Sequence, residues 1–163
     1  MKKNAGVTLR EDVRATDPAA VREITESSGF FYAEEIDTAV ELVEERLSKG
    51  EKSGYYFLFA EVDGKTVGYS CYGPIACTAA SFDLYWIAVH KDQRGGGVGT
   101  LLMDKSEEKI RDMGGHRIYV ETSSRPLYDP TRGFYLARKY YEEARLVDFY
   151  GPNDAKVIYV KAV

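Results

Sequence analysis

Two cysteines and two histidines are all this chain has of the residues that most often ligate transition metals. Cys71 and Cys77 fit no common zinc spacing, and His90 and His116 lie far from them in sequence. No metal is expected, and both thiols read as reduced, packed side chains. An apolar run long enough to cross a bilayer is also missing, so no membrane partner is expected. The opening MKKNAGVTLREDV has two lysines without the apolar stretch that a secretory signal would carry behind them. The expected compartment is therefore the cytoplasm. Basic clusters are absent as well: the formal charge is −4, which argues against a nucleic-acid partner. That acidity suits a cationic substrate weakly and an ordinary solvated surface just as well. Neither a repeat, nor a low-complexity tract, nor a linker interrupts the chain.

What is present suits one soluble domain over residues 1–163. Hydrophobic residues make up 44% and charged residues 29%, and 163 residues suffice for a sizeable core. VTLREDV, residues 7–13, reads as a first strand. Asp17-Pro18 reads as a cap followed by a first-turn proline, opening a helix that runs to about Ser28. A second helical region is expected over 30–49, with Ile36, Val40, Val43 and Leu47 on one stripe and Gly50 as its stop. Two β-rich runs flank Asp63-Gly64, the signature of a hairpin with a type I′ turn. SFDLYWIAV, residues 81–89, is almost continuously apolar, as a buried central strand should be.

Next comes RGGGVG, with four glycines among six residues. Glycine loses more backbone freedom on folding than any other residue, so such a run calls for a reason. A helix follows at once. Val98, Leu101, Leu102, Ile110 and Met113 mark one face, and Gly114-Gly115 close it. HRIYVETS, residues 116–123, is another strand. Strand, helix and strand with short joints make a βαβ unit, so those two strands should run parallel. Asp129-Pro130 then caps a helix over about 131–143, and ARLVDFYG and KVIYVKAV close the chain as an antiparallel pair. The expected fold class is mixed α/β: a mostly antiparallel sheet with one parallel βαβ unit, flanked by helices.

The glycines sit between a strand and a helix N-terminus, where the first N–H groups lack partners and the dipole is positive. Glycines let the backbone close around an anion, and Arg94 adds a charge suited to phosphate. A P-loop would need Gly-Lys-Ser/Thr, whereas Gly99 is followed by Thr100 and Leu101. A dinucleotide fingerprint would need G-x-G-x-x-G, which this run does not supply. The pattern Q/R-x-x-G-x-G/A fits at Arg94, Gly97 and Gly99.

With that loop, the strand LYWIAVHKDQ, the strand YVETSS and the segment PTRGFYLARKYYEEARL in this order, the chain resembles the GCN5-related N-acetyltransferase (GNAT) superfamily. The resemblance is clear from about Phe57 to the end; the first third follows by element order. It implies acetyl-CoA as cosubstrate and transfer of its acetyl group to a primary amine by direct attack. The cofactor-binding candidates are Ile87, Ala88, Val89, Arg94, Gly95, Gly96, Gly97, Val98, Gly99, Thr100 and Tyr128. The resemblance implies that the strand LYWIAVHKDQ carries a bulge and splays from its neighbour, so that Ile87 to Val89 would hold the cofactor arm along the exposed edge, with the Ile87 N–H facing the thioester oxygen. Tyr128 stands where many members carry an asparagine that contacts the cofactor. Lys139 and Tyr140 stand at the glycine and aromatic of the family's F-Y-x-x-x-G-F segment; that glycine commonly ends the helix in a left-handed turn.

Direct attack needs a base for the amine proton, donors for the oxyanion and an acid for the leaving thiolate. The resemblance makes Tyr135 the acid, with Phe134 facing the core. For the base, Asp83 interrupts an apolar strand, where desolvation would raise its pKa. Glu121 lies near the end of a parallel strand, where α/β ligands gather; a water chain is the alternative to either. Among the aromatics, Tyr128 and Tyr72 are the candidates for an acceptor pocket, and Arg125 could meet an acidic group. A CoA-binding sensor without turnover, a member using another acyl-CoA and a non-CoA nucleotide enzyme remain rival readings. The amine acceptor is not identified, and either a monomer or a homodimer is compatible.

Overall fold

Asp63 and Gly64 show how directly local chemistry shapes this chain. Both take positive φ, 50° and 77°, as the two centre residues of a type I′ turn require. They join β2 (Tyr56–Val62) to β3 (Lys65–Pro74). The computed structural model describes residues 6–29 and 31–163. Its seven strands form one sheet in the order β1-β2-β3-β4-β5-β7-β6. The others are β1 (Val7–Arg10), β4 (Ser81–Val89), β5 (Arg117–Ser123), β6 (Tyr141–Gly151) and β7 (Asp154–Ala162). Only β4 and β5 pair in parallel, as the βαβ pattern predicts; every other neighbouring pair is antiparallel.

Helices cover both faces. α1 (Asp17–Ser28) and α2 (Ala33–Lys49) press Val21, Ile24, Val40 and Val43 onto Phe57, Phe59 and Tyr69. On the other face, α3 (Val98–Asp112) sets Leu102, Met103 and Ile110 against Leu58, Phe82, Ile118 and Val120. Tyr135, from α4 (Asp129–Ala137), and Tyr140 join the same cluster. Two stripe positions do not reach a core: Leu47 and Met113 lie at helix ends and stay exposed. Phe30, where the second helical region was expected to begin, is outside the described residues, as are residues 1–5 of the opening stretch.

Asp17 departs from its sequence reading. Thr16 is the N-cap residue of α1, and Asp17 is its first helical residue. The Asp17 carboxylate is 1% exposed and accepts a bidentate pair from Arg10, at 2.8 and 2.9 Å. It also accepts the Arg14 N–H. The guanidinium of Arg10 lies over the ring of Phe59 and donates from Nε to Glu61. A charged pair this deep is tolerated because nearly every donor and acceptor is filled. It fastens the start of α1 to the sheet.

α4 is shorter than the sequence suggests. It ends at Ala137, and Lys139 takes φ 69° in the left-handed region. The Tyr140 N–H then returns to the Tyr135 carbonyl. Lys139 thus adopts the left-handed conformation expected of the family glycine at that position.

Candidate active site

The site grows from one irregularity in β4. Cys71 of β3 faces Trp86, but its neighbour Tyr72 faces Leu84, so Tyr85 is an extra residue on β4. Such a bulge sharpens strand twist and turns the strand away from its partner. On its other edge β4 pairs with β5 only over Ser81–Asp83, against Arg117–Tyr119. From Leu84 onward that edge has no strand beside it. Composition alone predicts a buried central strand here, and the family resemblance a bulged and splayed one; the bulge and splay are present, with Tyr85 exposed and Trp86 to Val89 half-buried. Trp86 to Val89 line a cleft of about 1060 Å³, and because polar groups alternate between the two edges of a strand, only every second residue turns its main chain away from β3.

The glycine loop forms one end of this cleft. Gly95 and Gly97 take φ 76° and 86°, a conformation in which an ordinary side chain is strained. Gly97 is the N-cap residue of α3 and no side chain caps the helix. The Leu101 N–H is bound to the Gly97 carbonyl. By helix geometry, those of Val98, Gly99 and Thr100 have no carbonyl within the helix to bind. Three N–H groups at the positive end of a 15-residue helix, beside Arg94, are suited to a phosphate. Gly99 faces the ring of Phe134, about where an added Cβ would make ordinary contact at 3.7 Å. Gly68 on β3 matters too. An added Cβ there would come within 3.1 Å of the Ala88 carbonyl and 3.3 Å of Val98, so its lack of one lets α3 lie close to the sheet.

Ile87, Ala88, Val89, Arg94, Gly95, Gly97, Val98, Gly99, Thr100, Glu121, Tyr128 and Tyr135 all line the cleft. Gly96 and Asp83 do not. Asp83 stands where β4 and β5 are still paired, opposite Tyr119 and just behind the splay. Burial, helped by the nearby charge of Glu121, pushes its carboxyl up to about 6. Glu121 lies two residues further along β5, faces the cleft and pairs with Lys156 at 2.8 Å. Tyr135 is 6% exposed, and burial holds its phenol well above the usual range. Its ring packs between Phe134, Tyr140 and Tyr159, and its hydroxyl makes no hydrogen bond among the described residues. Phe134 does not turn wholly into the core, because it also forms a wall of the cleft. Tyr72 belongs to the core at 2% exposure, leaving Tyr128 as the pocket aromatic of that pair. Arg125 lines the cleft, but it is already engaged with Tyr32 and Asp154.

Several lining residues carry no sequence signal: Tyr32, Glu34 and Glu35 at the start of α2, and Tyr150 and Asp154 at the β6–β7 turn. They are far apart in the chain, and only the sheet order brings them together.

Residues 19–138 match the acetyltransferase (GNAT) family model. The chain belongs to that family. A GNAT-family protein of Desulfovibrio desulfuricans is 42% identical over 96% of this chain and 98% of its own, with a TM-score of 0.94. At lower identity the fold alone is shared. The ribosomal-protein-S18-alanine N-acetyltransferase of Escherichia coli is 17% identical, with coverage of 96% and 94% and a TM-score of 0.76. The PaiA N-acetyltransferase of Thermoplasma acidophilum, solved with coenzyme A, is 16% identical, with coverage of 96% and 99% and a TM-score of 0.73. A comparison with curated proteins finds no match. As a GNAT domain, the chain carries the family's N-acetyltransferase assignment. Among the described residues no helix is long and apolar enough to cross a membrane, and no cluster of His, Cys, Asp or Glu has metal-binding geometry.

Proposed function

We propose that this chain moves the acetyl group of acetyl-CoA to a primary amine by direct attack within the cleft. One observation carries the reading. The uncapped start of α3 and the unpaired edge of β4 open into the same cavity, with Tyr135 on its wall. These residues fit the cosubstrate: the Val98, Gly99 and Thr100 N–H groups and Arg94 would hold its pyrophosphate, and Ile87 to Val89 its amide arm. When bound, the cosubstrate supplies an activated thioester.

The chain's own groups do the rest. The Ile87 N–H would donate to the thioester oxygen as charge develops there. Tyr135 keeps its proton at neutral pH, because burial disfavours the phenolate, and so has one to give to the leaving sulfur. Glu121, a carboxylate on the cleft wall, receives the amine proton, directly or through water. Asp83 lies behind Glu121, and burial pushes its carboxyl up to about 6. Phe134 and Trp86 add apolar surface to the cleft wall.

Thiol release from acetyl-CoA against an amine library, run beside calorimetry with CoA, tests this reading. Transfer to at least one amine is expected. Tight CoA binding with no transfer to any amine would favour a sensor, and faster transfer from a longer acyl-CoA would change the donor.

A further inference from the structure

Apart from Glu121, the far end of the cleft, away from the glycine loop, is built from side chains that the transfer chemistry does not use. Arg125, just after β5, donates from Nη1 to the Tyr32 hydroxyl at 2.9 Å. Tyr32 is the N-cap residue of α2, so this bond joins two different walls of the cleft. The guanidinium also lies over two rings, 5.3 Å from the centre of Tyr32 and 5.4 Å from that of Tyr128. Its Nε is 3.4 Å from Asp154. Tyrosine faces in this pocket thus already hold one cation. The crosspiece limits length as well: a polypeptide acceptor would have to run past it.

Charge is the second observation. On the cleft wall, Asp154 is offset by Arg125 and Glu121 by Lys156. Glu34 and Glu35 line the start of α2, and no basic side chain pairs with either among the described residues. Glu35 accepts the Tyr32 N–H and so is fixed in place. Tyr150 reports the convergence of these groups. Burial, with the charges of Glu121, Asp154 and Glu35 added, pushes its phenol up to about 12. Carboxylates from α2, β5 and β7 therefore act on one ring that lines the pocket.

We infer that the acceptor is a compact aliphatic amine with a second ammonium group, a small diamine, and that Arg125 and Tyr32 exclude polypeptides while Glu34 and Glu35 select the second charge. This rests on the transferase reading only for where the reacting amine sits. Its test therefore begins with binding and does not need turnover.

Calorimetry on the CoA-loaded full chain would use three probes: 1,4-diaminobutane, butylamine and a hexapeptide with a free N-terminus. The diamine should bind at least about 10-fold more tightly than butylamine, which is about 1.4 kcal/mol. Raised salt should erode that preference. Glu35→Gln keeps an oxygen for the Tyr32 N–H but removes the charge, so it should weaken the diamine and leave butylamine unchanged. Arg125→Ala should raise kcat/KM for the hexapeptide relative to the diamine, with CoA binding as the check on folding. Equal affinity for diamine and monoamine would overturn the inference, as would preferred binding or acetylation of the hexapeptide by the unaltered chain. Selective diamine binding without transfer to any amine would support it and count against the transferase reading instead.

Discussion

At the α3 end of the cleft the working groups are main-chain: three N–H groups at a helix start and the free edge of β4. At the α2 end they are side chains from the start of α2, the end of β5, the segment after it and the β6–β7 turn. The difference decides what can change. Main-chain donors depend on backbone geometry and not on residue identity, provided that no side chain stands in the way. One loop can therefore hold one fixed ligand in very different sequences. Side-chain walls are rewritten by single substitutions, and that suits the part of a transferase that chooses its acceptor. Tyr135 belongs to neither end. It lies on the wall shared by both.

The largest expected effect is at that shared wall. Tyr135→Phe removes one oxygen and keeps the ring among Phe134, Tyr140 and Tyr159. If the hydroxyl protonates the thiolate, kcat should fall roughly 10²–10⁴-fold, with CoA affinity little changed. Full activity under conditions where chemistry limits the rate would return Tyr135 to a packing role.

The next test separates backbone from space within the glycine loop. Gly97 has φ 86°, where a β-branched residue is strained by about 1–2 kcal/mol. Gly97→Val should also obstruct the approach of a phosphate, so CoA affinity is expected to fall by about 10-fold or more. Gly96 has an ordinary φ, and an added Cβ would stand 3.5 Å from the Gln93 carbonyl, outside the cleft lining. Gly96→Ala should therefore bind CoA nearly as the parent does. Equal losses in the two variants would mean that the cradle is placed wrongly.

The loop was legible in the sequence because its signal is local. Arg94, Gly97 and Gly99 fall at fixed spacing between a strand and a helix, and Asp63-Gly64 specifies its turn in the same short-range way. The acceptor end was not legible, since Tyr32, Arg125 and Tyr150 are brought together only by the order of strands in the sheet. Asp17 shows a subtler limit. Asp-Pro before a helix has the pattern of a cap, and nothing in that pattern discloses that Arg10 folds back to claim the carboxylate. β4 was legible in two parts. Its composition suits a buried strand and the family resemblance implied a bulge and a splay, but that the bulge falls at Tyr85 and that β5 diverges after Asp83 are tertiary events that no local pattern discloses. Asp83 was read as an acid whose pKa desolvation would raise, and burial does raise it, yet its place behind the cleft depends on the point where the two strands part.

Asp83 gives a smaller effect with two readouts. Its carboxyl is raised to about 6, so it is ionised above that pH and neutral below. If ionised Asp83 assists proton removal at Glu121, the rate should rise with pH through about 6, and Asp83→Asn should flatten that limb. Stability moves the other way. An acid whose folded pKa exceeds its unfolded value of about 3.9 loses its contribution as pH climbs from there through about 6. Asp83→Asn should therefore melt higher than the parent above pH 6, and the difference should vanish below about pH 4. A pH–rate profile unchanged in the folded variant would remove Asp83 from proton transfer and leave Glu121 or water.

The smallest effect tests whether the departure at Lys139 matters to either end of the cleft. Lys139 has φ 69° and its side chain is exposed. A side chain in the left-handed region costs about 1–2 kcal/mol. Lys139→Gly would remove that cost, but it would also enlarge the freedom of the unfolded chain, which takes back roughly 0.5–1 kcal/mol. The net gain should be at most about 1.5 kcal/mol, a rise in Tm of no more than about 3–6 °C for a chain of this size. Activity should not move, because the bond from the Tyr140 N–H to the Tyr135 carbonyl already holds the end of α4 in place. The position of the Tyr135 ring then owes nothing to which residue makes the turn. A change in kcat in Lys139→Gly, with Tm rising as expected, would mean that the turn adjusts Tyr135 after all, and that the lysine tunes the shared wall instead of merely ending a helix.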